Sequence, residues 1–153
     1  TEPLPTIQKY RTGQIDLSSA TLRVALFDDT IAYSPDRVNH EFVSDVLDGA
    51  TANELDDASY SRQDVLNASV TVDSGDTEVV VDADNVTFAT LSGGETIQGW
   101  VVYAQIGGDD STPGDDPIIA IGDEVLNSAG DPVTTNGSDV TLEFNAEGII
   151  NIT

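Results

Sequence analysis

QGWVVYAQIGGDDSTPGDDPIIAI occupies residues 98–121. Its two ends are among the most apolar runs of the chain. Its middle holds four aspartates, no basic residue, and the Gly and Pro that break regular structure. Branched and aromatic side chains such as Trp100, Val101, Val102 and Tyr103 fit a pleated, half-buried surface. Residues 98–106 therefore read as a central strand and 116–121 as its partner. The Gly- and Pro-containing stretch 107–117 then becomes a long hairpin connection between them. Four carboxylates in that connection raise a second question: whether a metal ion, a basic partner or solvent cations neutralise them.

The rest of the chain extends the same pattern. Val, Ile and Thr together make up 43 of the 153 residues, which favours strands over helices. Residues 20–28, ATLRVALFD, alternate Leu22, Val24 and Leu26 against Arg23, Ala25 and Phe27, the mark of a strand buried mainly on one face. Residues 66–91 read as two or three short strands, with turns at Ser74-Gly75 and at Ala83-Asp84-Asn85. DVTLEF at 139–144 and IINIT at 149–153 supply further strands. One segment has helical spacing. In residues 34–49, Val38, Phe42, Val43, Val46 and Leu47 share a face, Ser34 suits an N-cap, Pro35 the first helical position and Gly49 a stop. The expected architecture is mostly β: an antiparallel β-sandwich, jelly-roll-like, with one short helix. Residues 1–14 hold two prolines and no core pattern or apolar signal-peptide centre, and read as an extended N-terminal arm. Residues 15–153 read as a single β-sandwich domain.

The charge is extreme. The chain carries 28 acidic residues against 5 basic ones, a net of −23, with 20 Asp, 8 Glu and Lys9 as its single lysine. Leu, Ile, Val and Phe number 41, enough for a core and above the range of disordered chains. A folded domain so charged repels itself in ordinary buffer. In molar salt the Debye length falls to about 3 Å and that repulsion largely vanishes. The composition therefore points to a protein of brine. A mimic of nucleic acid needs its acids in rows on one face, whereas these lie in every segment. Binding of nucleic acid itself needs phosphate neutralisation by Lys and Arg, of which this chain has only 5. No run of 18 apolar residues spans a membrane. Without cysteine there is no disulfide, thiolate site or cysteine nucleophile.

Each candidate for chemistry has a plainer reading. Asp73-Ser74-Gly75 matches the short D-[ST]-G pattern of aspartic proteases, yet it is also what a hairpin turn between two alternating runs needs. His40 is the only histidine, with no G-x-S-x-G nucleophile motif in the chain, and Arg37 and Glu41 beside it suit a packing role. Calcium takes six to eight oxygens. The candidates are Asp73, Asp76, Asp82 and Asp84 in one region and Asp109, Asp110, Asp115 and Asp116 in the other. Neither set fits the D-x-[DN]-x-[DN]-G frame, and among 28 acids such pairs arise by chance. The expectation is no catalytic residue, no cofactor and no metal, with loop 107–117 an exposed hairpin tip neutralised by solvated salt cations. Asn-x-Ser/Thr sequons occur at Asn67, Asn85, Asn136 and Asn151, of which Asn136 alone lies clearly in an expected loop.

The order of segments resembles a family of small virion structural proteins of tailed viruses, head- or tail-associated. The residues that carry it are TLRVALFDDTIAYSPD at 21–36, HEFVSDV at 40–46, YSRQDV at 60–65 and DNVTF at 84–88. QGWVVYAQIGGDD at 98–110, DPIIAI at 116–121 and LEFNAEGIINIT at 142–153 complete the set. They cover most of the chain after the arm. The chain departs from the family pattern at Ala58-Ser59-Tyr60, where a glycine usually precedes the tyrosine, and in its far greater acidity. The resemblance implies a non-enzymatic virion protein, here of a virus of an extreme halophile, most simply a capsid decoration or turret subunit. It implies localisation in the virion and the major capsid protein or other virion proteins as partners; homo-oligomerisation is expected from the symmetry of that platform, and the composition leaves contact with neither nucleic acid nor membrane. In that setting residues 1–20 are expected to dock on the shell. A tail or neck subunit is the alternative, followed by a secreted binding module of a halophile, a calcium-dependent module and a dimeric aspartic protease.

Overall fold

The structure is a computed structural model that describes residues 2–11, 13–17, 19–75, 78–144 and 148–152. Helix α1 is Leu4–Arg11 and α2 is Val43–Val46. The strands are β1 Leu22–Asp28, β2 Gln63–Val65, β3 Ser69–Asp73, β4 Glu78–Asp82 and β5 Val86–Phe88. They continue with β6 Thr96–Ala104, β7 Ile118–Gly122, β8 Val133–Thr134, β9 Val140–Leu142 and β10 Ile150–Ile152.

The hairpin of residues 98–121 stands at the centre. β6 and β7 pair antiparallel, with Val101 opposite Ile121 and Val102 opposite Ala120. On its other side β6 pairs with β1, and β1 with β2, so the main sheet runs β2-β1-β6-β7, with β8 added to β6 at Thr96 and Ile97. A second sheet runs β10-β4-β3 and a third pairs β5 with β9, all antiparallel. The chain is mostly β and sandwich-like, as the strand content of the sequence implies.

β1 departs from the one-faced reading, because the main sheet is covered on both sides. Leu22, Val24 and Leu26 face a core shared with Val81, Phe88, Ile97 and Ile119. Ala25 and Phe27 face a second core with Tyr33, Val43, Val46 and Val101. Strand β1 thus divides two cores, and five of its side chains from Val24 to Asp28 are buried in succession. The second core exists because residues 30–55 fold back over the sheet.

Those residues form less helix than their spacing suggests. The expected helix over 34–49 shrinks to the single turn α2. The Asp36 carboxylate accepts the backbone N–H groups of Val38 (2.9 Å) and Asn39 (3.1 Å) and so stops the chain in a local turn. Phe42 is extended and bridges to Pro117. Helix α2 starts only after it, where Asp45 reaches back to the N–H groups of Glu41 (3.0 Å) and Phe42 (2.8 Å). Ser34 and Pro35 therefore cap nothing, while Gly49 adopts φ +74 beyond the helix end.

The extended arm is likewise corrected. Residues 4–11 form helix α1, with Pro5 in the first turn where its missing N–H costs nothing. The helix lies on its own domain. Leu4 N–H donates to Arg37 O (2.8 Å), the buried Thr6 hydroxyl donates to Ile118 O, and Lys9 Nζ pairs with Glu41 (2.7 Å) over the Phe42 ring. Its weak amphipathic pattern hid it, because polar contacts of Thr6 and Lys9 seat it rather than an apolar stripe.

Candidate functional site

The acidic loop lies on the second-core face of the main sheet, and the sheet register builds its receptor. Arg23 on β1 stands opposite Asp64 on β2 and Tyr103 on β6, so the three form one row across three strands. Arg62, just before β2, joins the row from the edge. Its guanidinium grips Glu54 through Nε to Oε1 (2.7 Å) and Nη2 to Oε2 (2.8 Å), and Nη1 donates to the Tyr103 hydroxyl (3.3 Å). Glu54 also accepts the hydroxyl of Tyr60 (3.0 Å), whose oxygen takes the Leu26 N–H (3.0 Å). Arg23 pairs with Asp64 (3.1 Å) and donates to the Arg62 carbonyl (2.7 Å).

Loop 105–117 closes over this row with Asp110. Its Oδ1 accepts the Tyr103 hydroxyl (2.6 Å) and Gln105 Nε2 (2.8 Å); Arg23 lies 3.4 Å and Arg62 3.8 Å from its oxygens. Burial works against the Asp110 charge, but these hydrogen bonds and the two guanidinium charges outweigh it and hold the carboxyl below its ordinary range. Burial, and the bond to Asp110, push the Tyr103 phenol up. The Glu54 hydrogen bonds raise Arg62, against the effect of burial.

The loop is thus not the uniformly exposed tip that its composition suggests. Asp109 is exposed and accepts the Ser111 N–H (2.8 Å) and hydroxyl (2.5 Å), an ordinary turn. Asp115 is exposed as well. Asp110 is neutralised by arginines of the same chain. Asp116 is fully buried, with Oδ1 accepting the Ile106 N–H (2.7 Å) and Oδ2 left without a partner. Burial raises its pKa, and the nearby charge of Asp110 adds to that. The loop backbone also anchors α2, through Val43 N–H to Asp116 O (3.0 Å) and Ser44 N–H to Pro113 O (3.1 Å).

The other calcium candidates serve turns. Asp73 accepts the Gly75 N–H (2.7 Å), which makes Asp73-Ser74-Gly75 the β3–β4 turn. Asp82 accepts the Ala83 N–H (2.9 Å) and Asp84 accepts Asn67 Nδ2 (2.7 Å). Asp76 lies outside the described residues. Among the described residues no group of three or more His, Asp or Glu is arranged to hold a metal ion. His40 packs on the fold: its Nδ1 accepts the Asp36 N–H (3.1 Å) and meets the Tyr33 hydroxyl (3.0 Å), with the two rings stacked. Asn136 lies in an exposed turn, with its side chain holding the Ser138 N–H (3.1 Å).

Two polar features lay outside the sequence reading. Asp57 is buried and accepts the Ser59 hydroxyl (2.5 Å), the Ser59 N–H (2.8 Å) and the Gly93 N–H (2.5 Å); these bonds hold its pKa down to about 2. The Arg23–Arg62–Tyr103 row was also missed. Its one signal was scarcity: with only 5 basic residues in the chain, an arginine in the middle of an apolar strand had to have a purpose. A shallow open groove of about 580 Å³ lies over Trp100, bounded by Val125, Val133 and Leu142 and rimmed by Glu124, Asp139 and Glu143.

Comparison of the chain with protein-family models, curated proteins and solved structures found no match. Among the described residues no helix is long and apolar enough to cross a membrane.

Proposed function

We propose that this chain is a non-enzymatic structural subunit of a virion, a capsid decoration or turret protein of a tailed virus that lives in brine. One observation carries the brine half of the reading. The described cations are turned toward the chain's own body: Arg23 and Arg62 on Asp110 and Glu54, Lys9 on Glu41, Arg37 on the Glu2 carbonyl. Apart from the exposed Arg37, the charge left at the described surface is carboxylate, with Asp56, Asp64, Asp109, Asp115, Asp123 and Asp131 all exposed. Such a surface repels itself in dilute buffer and is relieved where salt screens it.

The virion half rests on the ordered segments from residue 21 to the end that resemble the tailed-virus family. A β body whose arginine–carboxylate cluster is closed by internal ion pairs suits a structural part. Groups poised for chemistry are instead left reachable by substrate. A tail or neck subunit of the same particle is the second reading, since the same residues support it.

The test is quantitative mass spectrometry of purified virions, with this chain counted against the major shell protein. A copy number near that of the shell protein is the expected result for decoration. A count matching one vertex or ring moves the assignment to turret, neck or tail. Absence from particles overturns the reading.

A further inference from the structure

The main sheet guards its edges. The outer side of β7 is occupied: Ile118 N–H donates to Glu41 O (2.9 Å), Thr6 caps Ile118 O, and Phe42 bridges to Pro117. At the opposite edge, β2 is only three residues long and carries Asp64. Short, charged or covered edges are how β proteins avoid pairing with other chains.

Among the described residues, β3 shows none of these guards before its last residue, Asp73. It ends the sheet β10-β4-β3, and its register with β4 runs from Ser69–Asp82 to Asp73–Glu78 without a bulge. It contains no proline and no lysine. Every side chain from Ser69 to Val72 is exposed. Val70 and Val72 stand 44% and 77% exposed, and Leu66 just before them 59%. Val70 and Val72 share a face with their cross-strand partners Val81 and Val79, and Val81 belongs to the main core. A valine row therefore leaves the core and runs out to a bare edge. On a chain with 28 acids, residues 66–72 carry no charge at all.

We propose that β3 pairs antiparallel with β3 of a second copy about a two-fold axis at Thr71, which joins the two three-stranded sheets into one. The charge pattern selects this occupant. Two-fold pairing at Thr71 sets Val70 against Val72 of the other copy and Asp73 against its Ser69, so no carboxylate meets another across the seam. An acidic foreign strand would meet the same apolar face at a cost, and a basic one would find no carboxylate from residue 66 to 72. Because each copy carries −23, the pairing strengthens in molar salt, where the remaining surfaces are screened. The inference stands apart from the virion reading, since it concerns the isolated chain.

The absence of cysteine makes the test clean. Residues directly opposite in an antiparallel pair have Cα atoms about 4.5–5.5 Å apart, within disulfide reach. Thr71→Cys, oxidised in molar salt, is expected to give a covalent dimer on a non-reducing gel. Val38→Cys, 63% exposed on a turn outside this edge, stays monomeric. Sedimentation equilibrium of the unmodified chain in molar salt is expected to show a dimer. Val72→Asp weakens it tenfold or more while the melting temperature of the dilute monomer holds, and Val38→Asp leaves it intact. The proposal is overturned by a monomer at all concentrations in molar salt, by a dimer indifferent to Val72→Asp, or by Thr71→Cys and Val38→Cys cross-linking alike. None of these outcomes alters the copy number in virions, so the two readings fail separately.

Discussion

Arg62 shows how few cations the fold needs if each is placed well. Its side chain is only 14% exposed and it holds Glu54 in a two-point fork, a geometry far stronger than a surface pair. Arg62→Met leaves Glu54 without its cation and Asp110 with Arg23 alone. The expected loss is about 2 kcal/mol in urea unfolding, less than for a fully buried pair because Glu54 still reaches water. The double variant with Glu54→Gln is expected to lose less than the sum of the single losses, the coupling that a direct pair must show. Asp57 governs acid behaviour in the opposite sense to Asp116. Its folded pKa lies near 2 and the unfolded value near 4, so its contribution is complete above about pH 4 and drains away as pH falls toward 2. Asp116 is raised by the fold, so its ionisation opposes folding as pH climbs past the unfolded value. Asp57→Asn should therefore flatten the loss of stability between about pH 4 and 2, read by denaturant titration at stepped pH. An unchanged acid limb in that variant removes Asp57 as its cause.

At the scale of elements, the central hairpin β6–β7 depends on glycine as much as on valine. Gly99 on β6 faces Phe27 on β1, and a Cβ there would collide with the Phe27 ring and the Gly122 carbonyl. Gly122 on β7 faces Trp100, whose indole lies across it in the same way. Each glycine is a slot for an aromatic ring from the neighbouring strand. Gly99→Ala is expected to cost about 3 kcal/mol or to abolish folding, whereas Gly94→Ala, with open space around it, costs only the strain of its positive φ. Thermal melts of the two variants in molar salt check this. Legibility differs by element for physical reasons. The hairpin, the β3–β4 turn at Ser74-Gly75 and the strands over 66–91 could be read because local chemistry and tertiary context agree there. Helix α1 could not, because it is held by Thr6 and Lys9 reaching residues over thirty positions away. The 34–49 helix was misread because Asp36 and Asp45 divert the backbone N–H groups that a longer helix would need. Asp110 was misread because only the register of β1 with β6 puts Arg23 beneath it.

The whole molecule sets a balance between a modest core and a large self-repulsion. A net −23 on 153 residues leaves neighbouring surface carboxylates within a Debye length of each other in dilute buffer. The two cores and the Arg62 network oppose that repulsion, but they do not screen it. Stability should therefore climb steeply from dilute buffer to molar KCl, with a rise in melting temperature of roughly 10 °C or more, and approach a plateau once the Debye length falls to about 3 Å. Salt also strengthens apolar burial, so the charge account needs its own control. Replacing the exposed Asp109, Asp115 and Asp131 with Asn together relieves repulsion without touching either core. That triple variant should melt higher than the parent in dilute buffer and converge with it in molar KCl. If the two chains keep a constant difference at every salt concentration, screening is not what stabilises this fold, and salt acts through burial alone.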